Sequence, residues 1–519
     1  MASGPPLIHE LSPGPDLERL AAEAGDRPFT LWLDSALKGP ETGRYSFLAV
    51  DPYRVLRSAD GVCVWLESDG ERVAGSAFGA LSEAIEPDDS APAFADSAIV
   101  NIPRYPFLGG AAGFFGYELA GELETVPRAR IRDTAQPDLE VGLYDVVLGL
   151  DHETGRGWVC STGAPHAGPE RMERARSRMD SALRWVAGGE SLSEYGLGEP
   201  GAPVGEGRAS APAVRACDSL DPSPQLFPVE EWPGIGSSIS AAGYQDMVRR
   251  GVELIRAGDV FQVNVSQRLE IDCPARSGTA PNGGFSDFEF YLSLRDETPA
   301  PFAAFFHGSR CSILSASPER FLRVRDRQVE TRPIKGTRPR GREGVADARL
   351  AAELLGSEKD RAENLMIVDL LRNDLSRVCA PGSIRTSKLF GLESYATVHH
   401  LVSVVEGTLR AGRTPLALLQ TCFPGGSVTG APKIRAMEII ADLEPVERGP
   451  YCGAVGYIGF DGSMDLNIAI RTAVRHESRI TFHAGGAVVA DSVPEAEYLE
   501  SLDKAAGLAA LSRAVAANR

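Results

Sequence analysis

The sequence predicts an α+β protein, because segments with strand patterns and segments with helix patterns are grouped along the chain and do not alternate strictly. Residues 28–160 alternate short apolar runs with glycine, proline and aspartate turns, which is typical of antiparallel strands. The second half combines amphipathic helices with a late run of strands. With 519 residues, the chain can bury one large core or about two to three ordinary ones.

The N-terminal part is predicted to be mainly β-structure. Strands are expected at residues 29–33, 54–57, 62–66 and 141–150, and a helix at 172–186. Residues 187–236 are rich in Gly, Pro, Ser, Ala and Glu and have almost no periodicity, so we expect a flexible linker or insertion there. The predicted organisation is therefore an N-terminal lobe, 1–186, the linker, 187–236, and a C-terminal domain, 237–519.

The C-terminal domain carries clearer signals for individual elements. Helices are predicted at residues 240–257, ended by Gly258, at 346–375 with a break near Gly356, and at 415–422 and 431–442. Strands are predicted at residues 260–271, 302–306, 311–314, 453–460, 465–474 and 480–489. A last helix, 494–517, is expected to have Ser492 as its N-cap and Glu495 in a capping box.

Charge and composition exclude several classes of protein. The chain has 71 acidic and 53 basic residues, a formal net charge of -18, which argues against a nucleic-acid-binding protein. Neither a signal peptide nor an apolar run of membrane-spanning length is visible. The eight cysteines are scattered without a CxxC pair, which indicates reduced thiols and no zinc site. We therefore expect a cytoplasmic enzyme that binds neither nucleic acid nor membranes.

A basic segment, residues 331–341, interrupts this acidic chain. It contains Arg332, Lys335, Arg338 and Arg340 and no acidic residue, and its prolines and glycines favour an ordered loop or strand edge. A lysine held among arginines is shifted towards its neutral, nucleophilic form. The alternative is a solvated basic turn, and the segment alone does not decide between the two.

Two pairs of acidic residues have helical spacing. Asp360 and Glu363 share one helix face, and Glu497 and Glu500 share a face of the last helix. If the two helices meet, their carboxylates would suit a hard divalent cation such as Mg²⁺. The alternative is two ordinary solvent-exposed faces, which the spacing alone favours.

Residues 424–433, PGGSVTGAPK, form a glycine-rich turn before a helix. Backbone N–H groups at such a helix start can bind an anion. Because Ala431 and Pro432 stand where a phosphate loop needs Lys and Ser or Thr, the turn predicts a carboxylate site or a purely structural turn. His400, next to His399, is either a hydrogen-bonded core residue or an orienting acid or base.

Seven segments, taken together and in this order, resemble the chorismate-utilising enzymes, a family that includes anthranilate, aminodeoxychorismate, isochorismate and salicylate synthases. They are residues 258–268, 317–321, 333–341, 361–375, 424–433, 468–472 and 490–492. Residues 43–47 and 107–118 match more loosely. The resemblance implies the family's α+β fold, with large antiparallel sheets as a two-layer core flanked by helices. It makes 1–186 an N-terminal lobe of the anthranilate synthase type and 237–519 the chorismate-binding domain.

The resemblance also implies roles for individual residues. Glu319 matches the general acid that protonates the departing 4-hydroxyl group of chorismate, and His400 matches a histidine near the ring. The residues implied to hold the substrate are Gly426, Ser427, Tyr451, Arg471 and Gly485. The implied cofactor is Mg²⁺, bound by Glu363 and Glu500 with Asp360 and Glu497 behind them.

Three positions discriminate among members of the family. Gln262 stands where isochorismate and salicylate synthases have a water-activating lysine, which favours ammonia as the nucleophile. Lys335 stands where anthranilate and isochorismate synthases typically have alanine, and it matches the lysine proposed to attack C2 in aminodeoxychorismate synthases. Residues 301–306, PFAAFF, are also closer to the aminodeoxychorismate pattern, although Ser35, Pro301 and Phe302 resemble parts of a tryptophan pocket.

The resemblance therefore implies component I of aminodeoxychorismate synthase, which converts chorismate and ammonia to 4-amino-4-deoxychorismate for p-aminobenzoate and folate synthesis. No glutamine-hydrolysing Cys-His-Glu set is visible, so we expect ammonia from a separate glutamine amidotransferase subunit. The alternatives are anthranilate synthase component I and a non-catalytic subunit that binds tryptophan or regulates a partner. The intact acids Glu319, Glu363 and Glu500 argue against the last of these.

Overall fold

The structure of the chain is a computed structural model that describes residues 5–25, 27–39, 41–67, 70–85, 105–188, 220–273, 286–341, 344–395 and 398–516. The strands of these residues are β1 (Leu7–Leu11), β2 (Thr30–Asp34), β3 (Tyr45–Ala49), β4 (Arg54–Ala59), β5 (Val62–Glu67), β6 (Gly70–Ala74), β7 (Gly110–Phe115), β8 (Leu139–Tyr144), β9 (Val146–Asp151), β10 (Arg156–Ser161), β11 (Phe227–Pro228), β12 (Ile235–Ser237), β13 (Gln262–Asp272), β14 (Phe302–His307), β15 (Ser312–Ser317), β16 (Arg320–Arg325), β17 (Gln328–Thr331), β18 (Ile334–Pro339), β19 (Arg385–Ser394), β20 (Val398–Thr408), β21 (Gly430–Ala431), β22 (Ala454–Gly459), β23 (Met464–Asn467), β24 (Thr472–His476) and β25 (Arg479–Val488). The helices are α1 (Leu17–Ala24), α2 (Ala77–Ile85), α3 (Gly168–Val186), α4 (Ala241–Ala257), α5 (Asp287–Glu297), α6 (Gly344–Gly356), α7 (Glu358–Ser376), α8 (Pro415–Cys422), α9 (Lys433–Leu443), α10 (Pro494–Ala509) and α11 (Leu511–Ala516).

Within the described residues, the strands form two large antiparallel sheets, which confirms the predicted α+β class. The first sheet has 13 strands, in the order β1-β10-β9-β3-β2-β14-β15-β24-β25-β13-β12-β11, with β21 paired to β13. The second has 12 strands, in the order β18-β20-β17-β16-β23-β22-β7-β8-β4-β5-β6, with β19 paired to β20. Because β2 pairs with β14 and β7 pairs with β22, the N-terminal lobe and the C-terminal domain share both sheets.

The two sheets pack face to face over an aromatic core. Phe47 and Trp158 of the first sheet and Phe114 and Tyr457 of the second belong to the same buried cluster. Helices cover the outer faces, with α1, α3, α5 and α10 against the first sheet and α2 and α8 against the second. This two-layer arrangement buries both faces of each sheet, as large apolar sheets require.

The chain passes between the sheets at several short connections, and two strand predictions are wrong for this reason. Residues 141–150 form β8 of the second sheet and β9 of the first, separated by Asp145, which is buried and accepts a hydrogen bond from Arg178 at 2.9 Å. Residues 465–474 form β23 and β24, again in different sheets. Continuous apolar patterning does not reveal such a change of sheet, because both halves are equally buried.

Two further predictions about boundaries need correction. The end of the predicted linker is ordered, since β11 pairs with β12 and Val229 and Ile235 are buried, while residues 189–219 lie outside the described part of the chain. Ser492 is not the N-cap of α10, because Val493 occupies that position. The Ser492 hydroxyl instead donates to Glu497 at 2.7 Å, which ties the start of α10 to one of the predicted metal-site carboxylates.

The other expectations about helix ends and cysteines agree with the structure. Ser240 caps α4, Gly258 ends it in the left-handed conformation, and the region 346–375 is two helices separated at Ser357. Seven cysteines lie in the described ranges, and all seven are buried. Among the helices of these ranges, none combines the length and the apolar character needed to cross a bilayer.

Candidate active site

The candidate active site forms where two neighbouring connections pass from one sheet to the other. Glu319 lies between β15 and β16, and Arg471 lies between β23 and β24. The N–H of Ile468 donates to the carbonyl of Glu319 at 3.0 Å, and the N–H of Ala316 donates to the carbonyl of Arg471 at 3.0 Å. These reciprocal hydrogen bonds hold the two connections side by side, so residues far apart in the sequence meet in one place.

Glu319 has the environment of a proton donor. Its side chain is buried, and the Ser427 hydroxyl donates to Glu319 Oε1 at 2.8 Å. Burial raises the pKa of Glu319 to about 7, although the Ser427 hydrogen bond and the positive charge of Lys335 lower it. A carboxyl group with a pKa near neutrality is partly protonated at physiological pH and can give a proton to a leaving group.

Ser427 connects the glycine-rich turn to the basic segment. Its carbonyl accepts hydrogen bonds from Lys335 Nζ at 3.1 Å and from Asn264 Nδ2 at 2.9 Å. Gly426 allows α7 to pack closely on the turn, since a Cβ at this position would lie 2.4 Å from a methyl group of Leu370. The helix after the turn begins at Lys433, with Pro432 as its N-cap, and thus later than predicted.

Lys335 lies on β18 and differs from the arginines around it. Arg332 binds Glu41 and Glu393, Arg338 binds Glu353 and Asp360, and Arg340 binds Asp347. Among the described residues, no carboxylate lies within 4 Å of the Lys335 ammonium group, and the side chain is partly buried. Burial lowers the pKa of Lys335, although the charges of Glu363 and Glu319 raise it. The arginines thus stabilise the segment, and Lys335 remains available for chemistry.

Arg471 is a partly buried cation without a matching anion among the described residues. Its backbone has a φ of 49°, in the left-handed region, and burial lowers the pKa of its guanidinium group. No hydrogen bond or ion pair of this side chain occurs within the ranges that the structure describes. A buried charge of this kind is stabilised by an anion from outside the protein, such as a carboxylate.

Tyr451, Gly485 and His400 complete the set predicted to surround the substrate. The Tyr451 ring stacks on His483 with 5.1 Å between the centroids. Gly485 lies in β25 where any Cβ would come within 1.9 Å of the Val265 carbonyl, so only glycine fits. His400 lies in β20, and its Nδ1 is 2.9 Å from the hydroxyl of Thr337.

His400 is neutral in the folded protein. Burial, together with the nearby charges of Arg471 and His399, lowers its pKa to about 3. At physiological pH it can therefore donate or accept a hydrogen bond as a neutral imidazole but does not carry a positive charge. This favours an orienting role over that of a proton donor.

The two acidic helix faces approach each other across the site. Burial raises the pKa of Glu363 on α7, and the charges of Asp360 and Glu500 add to this effect against those of Lys335 and Lys359. Burial also raises the pKa of Glu497, and Glu500 again adds to the effect. The carboxylates of α7 and α10 are therefore close enough to affect each other's pKa, while the Glu500 side chain itself is half exposed.

Gly486 lies next to the carboxylates of α10 and to the ammonium group of Lys504. A Cβ at Gly486 would lie 3.2 Å from Glu497 Oε2 and 3.7 Å from Glu500 Oε1, so glycine leaves room in front of the acids. Lys504 Nζ forms an ion pair with Glu500 at 2.7 Å and so supplies positive charge here. Among the described residues no group of three or more His, Cys, Asp or Glu side chains is already arranged to hold a metal ion.

Ser35, Pro301 and Phe302, predicted as parts of a tryptophan pocket, line one cavity of about 250 Å³ between the two sheets. The Ser35 hydroxyl donates to the carbonyl of Tyr45 at 2.6 Å. The Arg320 guanidinium group lies 4.8 Å from the centre of the Phe302 ring. The cavity thus combines apolar walls with charged groups, a composition suited to a small zwitterion.

Sequence reasoning missed three residues behind the site, Asn264, Glu444 and Arg448. Asn264 holds the carbonyl of Ser427, and the Arg448 guanidinium group forms a buried ion pair with Glu444. In the sequence, Glu444 and Arg448 look like an ordinary pair four positions apart after a helix. No sequence signal shows that both side chains are buried against the turn.

Comparisons with known proteins identify the family of the chain. A family model described as chorismate binding enzyme matches residues 36–510. The chain is 38% identical over 402 residues to aminodeoxychorismate synthase component 1 of Salmonella typhimurium, an alignment that covers 78% of this chain and 76% of that protein. It is 37% identical over 485 residues to anthranilate synthase component 1 of Thermus thermophilus, covering 93% and 91% of the two chains.

A solved structure has the same fold. The crystal structure of anthranilate synthase component I from Streptococcus pneumoniae superimposes with a TM-score of 0.68 and 31% sequence identity. The superposition covers 91% of this chain and 95% of that one.

Proposed function

Because the chain belongs to the chorismate-binding enzymes, we propose that it is the chorismate-converting component of a cytoplasmic aminodeoxychorismate synthase. The reaction joins ammonia to chorismate to form 4-amino-4-deoxychorismate and water, on the route to p-aminobenzoate and folate. The observation that carries the proposal is the partly buried amine of Lys335, which shares the Ser427 hydrogen-bond network with the carboxyl group of Glu319. An amine nucleophile next to a proton donor is what a displacement of the 4-hydroxyl group requires.

Substrate binding rests on groups that can accept two carboxylates. The guanidinium group of Arg471, helped by Tyr451 and the backbone near Gly485, binds the enolpyruvyl carboxylate. The backbone N–H groups of Gly426 and Ser427 bind the rest of the dianion, and neutral His400 donates a hydrogen bond at the ring. The partly buried charge of Arg471, with no ion pair among the described residues, supports this assignment, because a substrate carboxylate would compensate it.

The first chemical step uses Lys335 and Glu319. The neutral amine of Lys335 attacks C2 of chorismate, the ring double bonds shift, and the C4–oxygen bond breaks. The 4-hydroxyl group takes the proton of Glu319 and leaves as water, so the enzyme is left with a C2–nitrogen bond and an ionised Glu319. The lowered pKa of Lys335 and the raised pKa of Glu319 both support these protonation states.

The second step replaces the lysine with ammonia. Ammonia attacks C4, the double bonds shift back, and the C2–nitrogen bond breaks to release the neutral amine of Lys335. The new C4 ammonium group returns one proton to Glu319. Gln262 supports a site for ammonia, since its amide is fully buried and its Oε1 has no hydrogen-bond partner among the described residues.

Mg²⁺ is the proposed cofactor. Glu363 and Glu500 would bind it, with Asp360 and Glu497 behind them, as the closeness of Gly486 to the acids of α10 supports. When bound, the ion supplies positive charge for the ring carboxylate of chorismate.

Ammonia is proposed to come from a separate glutamine amidotransferase subunit. The names of the relatives from Salmonella typhimurium and Thermus thermophilus, each a component 1, support a multi-component enzyme. Within the sequence no Cys-His-Glu set for glutamine hydrolysis accompanies the chorismate site.

The identity of the product tests the proposal. Purified protein incubated with chorismate, Mg²⁺ and ammonium ions should form 4-amino-4-deoxychorismate, which an added lyase converts to p-aminobenzoate. The second candidate is anthranilate synthase component I, favoured by the longer alignment with the Thermus thermophilus protein. Anthranilate and pyruvate as the main products would reject our proposal in favour of that candidate.

A binding measurement tests the remaining alternative, a non-catalytic subunit that binds tryptophan. A catalytic site predicts that chorismate with Mg²⁺ raises the melting temperature. Stabilisation by tryptophan alone, with no effect of chorismate, would support the non-catalytic alternative. Tryptophan that stabilises an active enzyme would assign the cavity at Ser35 and Phe302 to this ligand.

A further inference from the structure

Directly behind the glycine-rich turn lies a buried ion pair with no assigned role. Arg448 donates two hydrogen bonds to Glu444, at 2.9 Å from Nε and at 2.6 Å from Nη2. The side chains of Arg448 and Glu444 are only 2% and 3% exposed. Removing two charges from water is costly, so a pair in this position requires further polar contacts to be stable.

Those further contacts join separate parts of the site. Arg448 Nη1 donates to the carbonyl of Val428 at 3.1 Å, and Nη2 donates to the carbonyl of Asn264 at 3.0 Å. Glu444 Oε1 accepts hydrogen bonds from the N–H of Ser266 at 2.8 Å and from its hydroxyl at 3.0 Å. The ion pair thereby fixes the turn against β13.

The hydrogen bonds of this ion pair lead through Ser427 to the proposed reacting groups, Glu319 and Lys335. Val428 follows Ser427 in the turn, and the side chain of Asn264 holds the Ser427 carbonyl at 2.9 Å. Ser427 in turn contacts Glu319 through its hydroxyl and Lys335 through its carbonyl. A shift of Val428 or Asn264 therefore moves Ser427 relative to both groups.

The backbone of Arg448 is itself held in place. The N–H groups of Arg448 and Gly449 donate to the two carboxylate oxygens of Glu118, each at 2.8 Å. The guanidinium carbon lies 4.8 Å from the ring centre of Tyr117 and 5.7 Å from that of Tyr451. The side chain is thus confined on every side and cannot adjust freely if a contact is lost.

We propose that Arg448 and Glu444 are positioning residues, which hold Ser427 in hydrogen-bonding register with Glu319 and Lys335 from behind the turn. The proposal rests on the proposed function, in which Glu319 gives the proton and Lys335 attacks. The planar guanidinium group can bind Glu444 and two carbonyls together, and a lysine ammonium group cannot reproduce this fork.

Loss of this positioning should change the pH dependence of kcat/KM in a defined direction. The Ser427 hydrogen bond lowers the pKa of Glu319, so a displaced Ser427 lets that pKa rise. Because Glu319 must be protonated to act, the high-pH limb of the kcat/KM profile then moves to higher pH. At the pH optimum, misplacement of the groups lowers kcat, by about 10²-fold for a displacement near 1 Å.

The experiment compares Arg448→Lys with Arg178→Lys and Ser427→Ala. Arg178 on α3 forms a similarly buried pair with Asp145, in the connection between β8 and β9, and is a matched control for loss of a buried arginine. We expect both arginine variants to lower the melting temperature, and only Arg448→Lys to shift the high-pH limb upward. Ser427→Ala should shift it in the same direction, and the double variant with Arg448→Lys should add little.

Arg448→Lys with a lower melting temperature but an unchanged pH profile would overturn the proposal, since that is the behaviour of a merely structural pair. If Arg448→Lys does not fold, Glu444→Gln provides the same comparison, and an unshifted limb in that variant likewise overturns it. The limb is measured on whichever product the wild-type protein forms from chorismate. Product identity therefore tests the proposed function, and the limb tests the positioning role separately.

Discussion

Lys335 is the residue on which the choice among chorismate enzymes depends. The three arginines of its segment bind carboxylates and so are committed to structure. Lys335 instead contacts the carbonyl of Ser427, within the network that also holds Glu319. A lysine that has lost hydration without gaining a close carboxylate is poised as a nucleophile, since its neutral form is favoured.

Replacing this lysine tests its role directly. Lys335→Ala should lower turnover by about tenfold or more, because the covalent step is lost. It should also abolish any adduct of protein and substrate seen by intact mass spectrometry without borohydride. Arg340→Ala, which removes a neighbouring cation bound to Asp347, is the control and should leave turnover unchanged. Unaltered turnover in Lys335→Ala would show that Lys335 is not a nucleophile.

Glu319 makes the reaction depend on pH near neutrality. Its pKa of about 7 means that the protonated acid disappears as the pH rises past that value, so kcat/KM should fall on the alkaline side. Glu319→Gln should lose this limb, together with about 10²–10⁴-fold in rate. A variant that keeps the alkaline limb would assign the limb to another group.

Ionisation of buried Glu319 should also lower the free energy of unfolding at high pH. The folded-state pKa of Glu319 lies above its ordinary value of 4.5, so the folded protein binds the proton more tightly than the unfolded chain does. The contribution to stability is complete below about pH 4.5 and is lost as the pH rises through about 7. As the pH rises through this range, the wild-type protein should lose up to about 3 kcal/mol in free energy of unfolding that Glu319→Gln keeps. Denaturant titrations below and above this pH range measure the difference in free energy of unfolding between the variant and wild type. A difference that is the same at all pH values would contradict the prediction.

At the scale of elements, the pairing of β13 with β25 brings α10 to the site. Gly485 and Gly486 pair with Ser266 and Val265, respectively, and Gly486 lies next to the α10 carboxylates. The acids of α7 approach from the other side. The proposed cation site therefore depends on two helices and one glycine-containing strand.

Filling this space should weaken binding of the cation. In Gly486→Ala, the new methyl group would lie 3.2 Å from Glu497 Oε2, so we expect a higher Mg²⁺ concentration for half-maximal activity. Gly251→Ala is the matched control, since its methyl group would meet Val488, also at 3.2 Å, in an apolar contact. Equal Mg²⁺ dependence in Gly486→Ala and wild type would mean that the cation binds elsewhere.

At the scale of the whole molecule, both sheets run through the N-terminal and C-terminal parts of the chain. The central pairs β2–β14 and β7–β22 join these parts, and one aromatic cluster lies between the sheets. A fragment of residues 237–519 would expose the edges of β14 and β22 to solvent.

We therefore expect one cooperative unfolding transition for the full chain. Calorimetry should give equal calorimetric and van't Hoff enthalpies, and fragment 237–519 alone should lack protected amides in β14 and β22. Two separate transitions, or a protected fragment, would show that the two parts fold independently.

Most elements of the fold were predictable because periodic apolar patterns mark them. The helix starting after Ser240 and the break between α6 and α7 follow from capping and glycine signals that act over a few residues. The crossings at Asp145 and at residues 468–471 were not predictable, because a strand buried on both faces has the same pattern in either sheet.

The sequence by itself determined the fold class, the family and the chemical types at the site, since Glu319, Lys335 and the paired acids lie in recognisable local motifs. Only the tertiary structure decided how these groups act on each other. Burial raises the pKa of Glu319 and lowers that of Lys335. The crossings between the sheets place Glu319 beside the connection that carries Arg471 and within hydrogen-bond distance of Ser427. The buried pair of Arg448 and Glu444 became visible only there, because desolvation and long-range contact are properties of the packed chain and have no local signature.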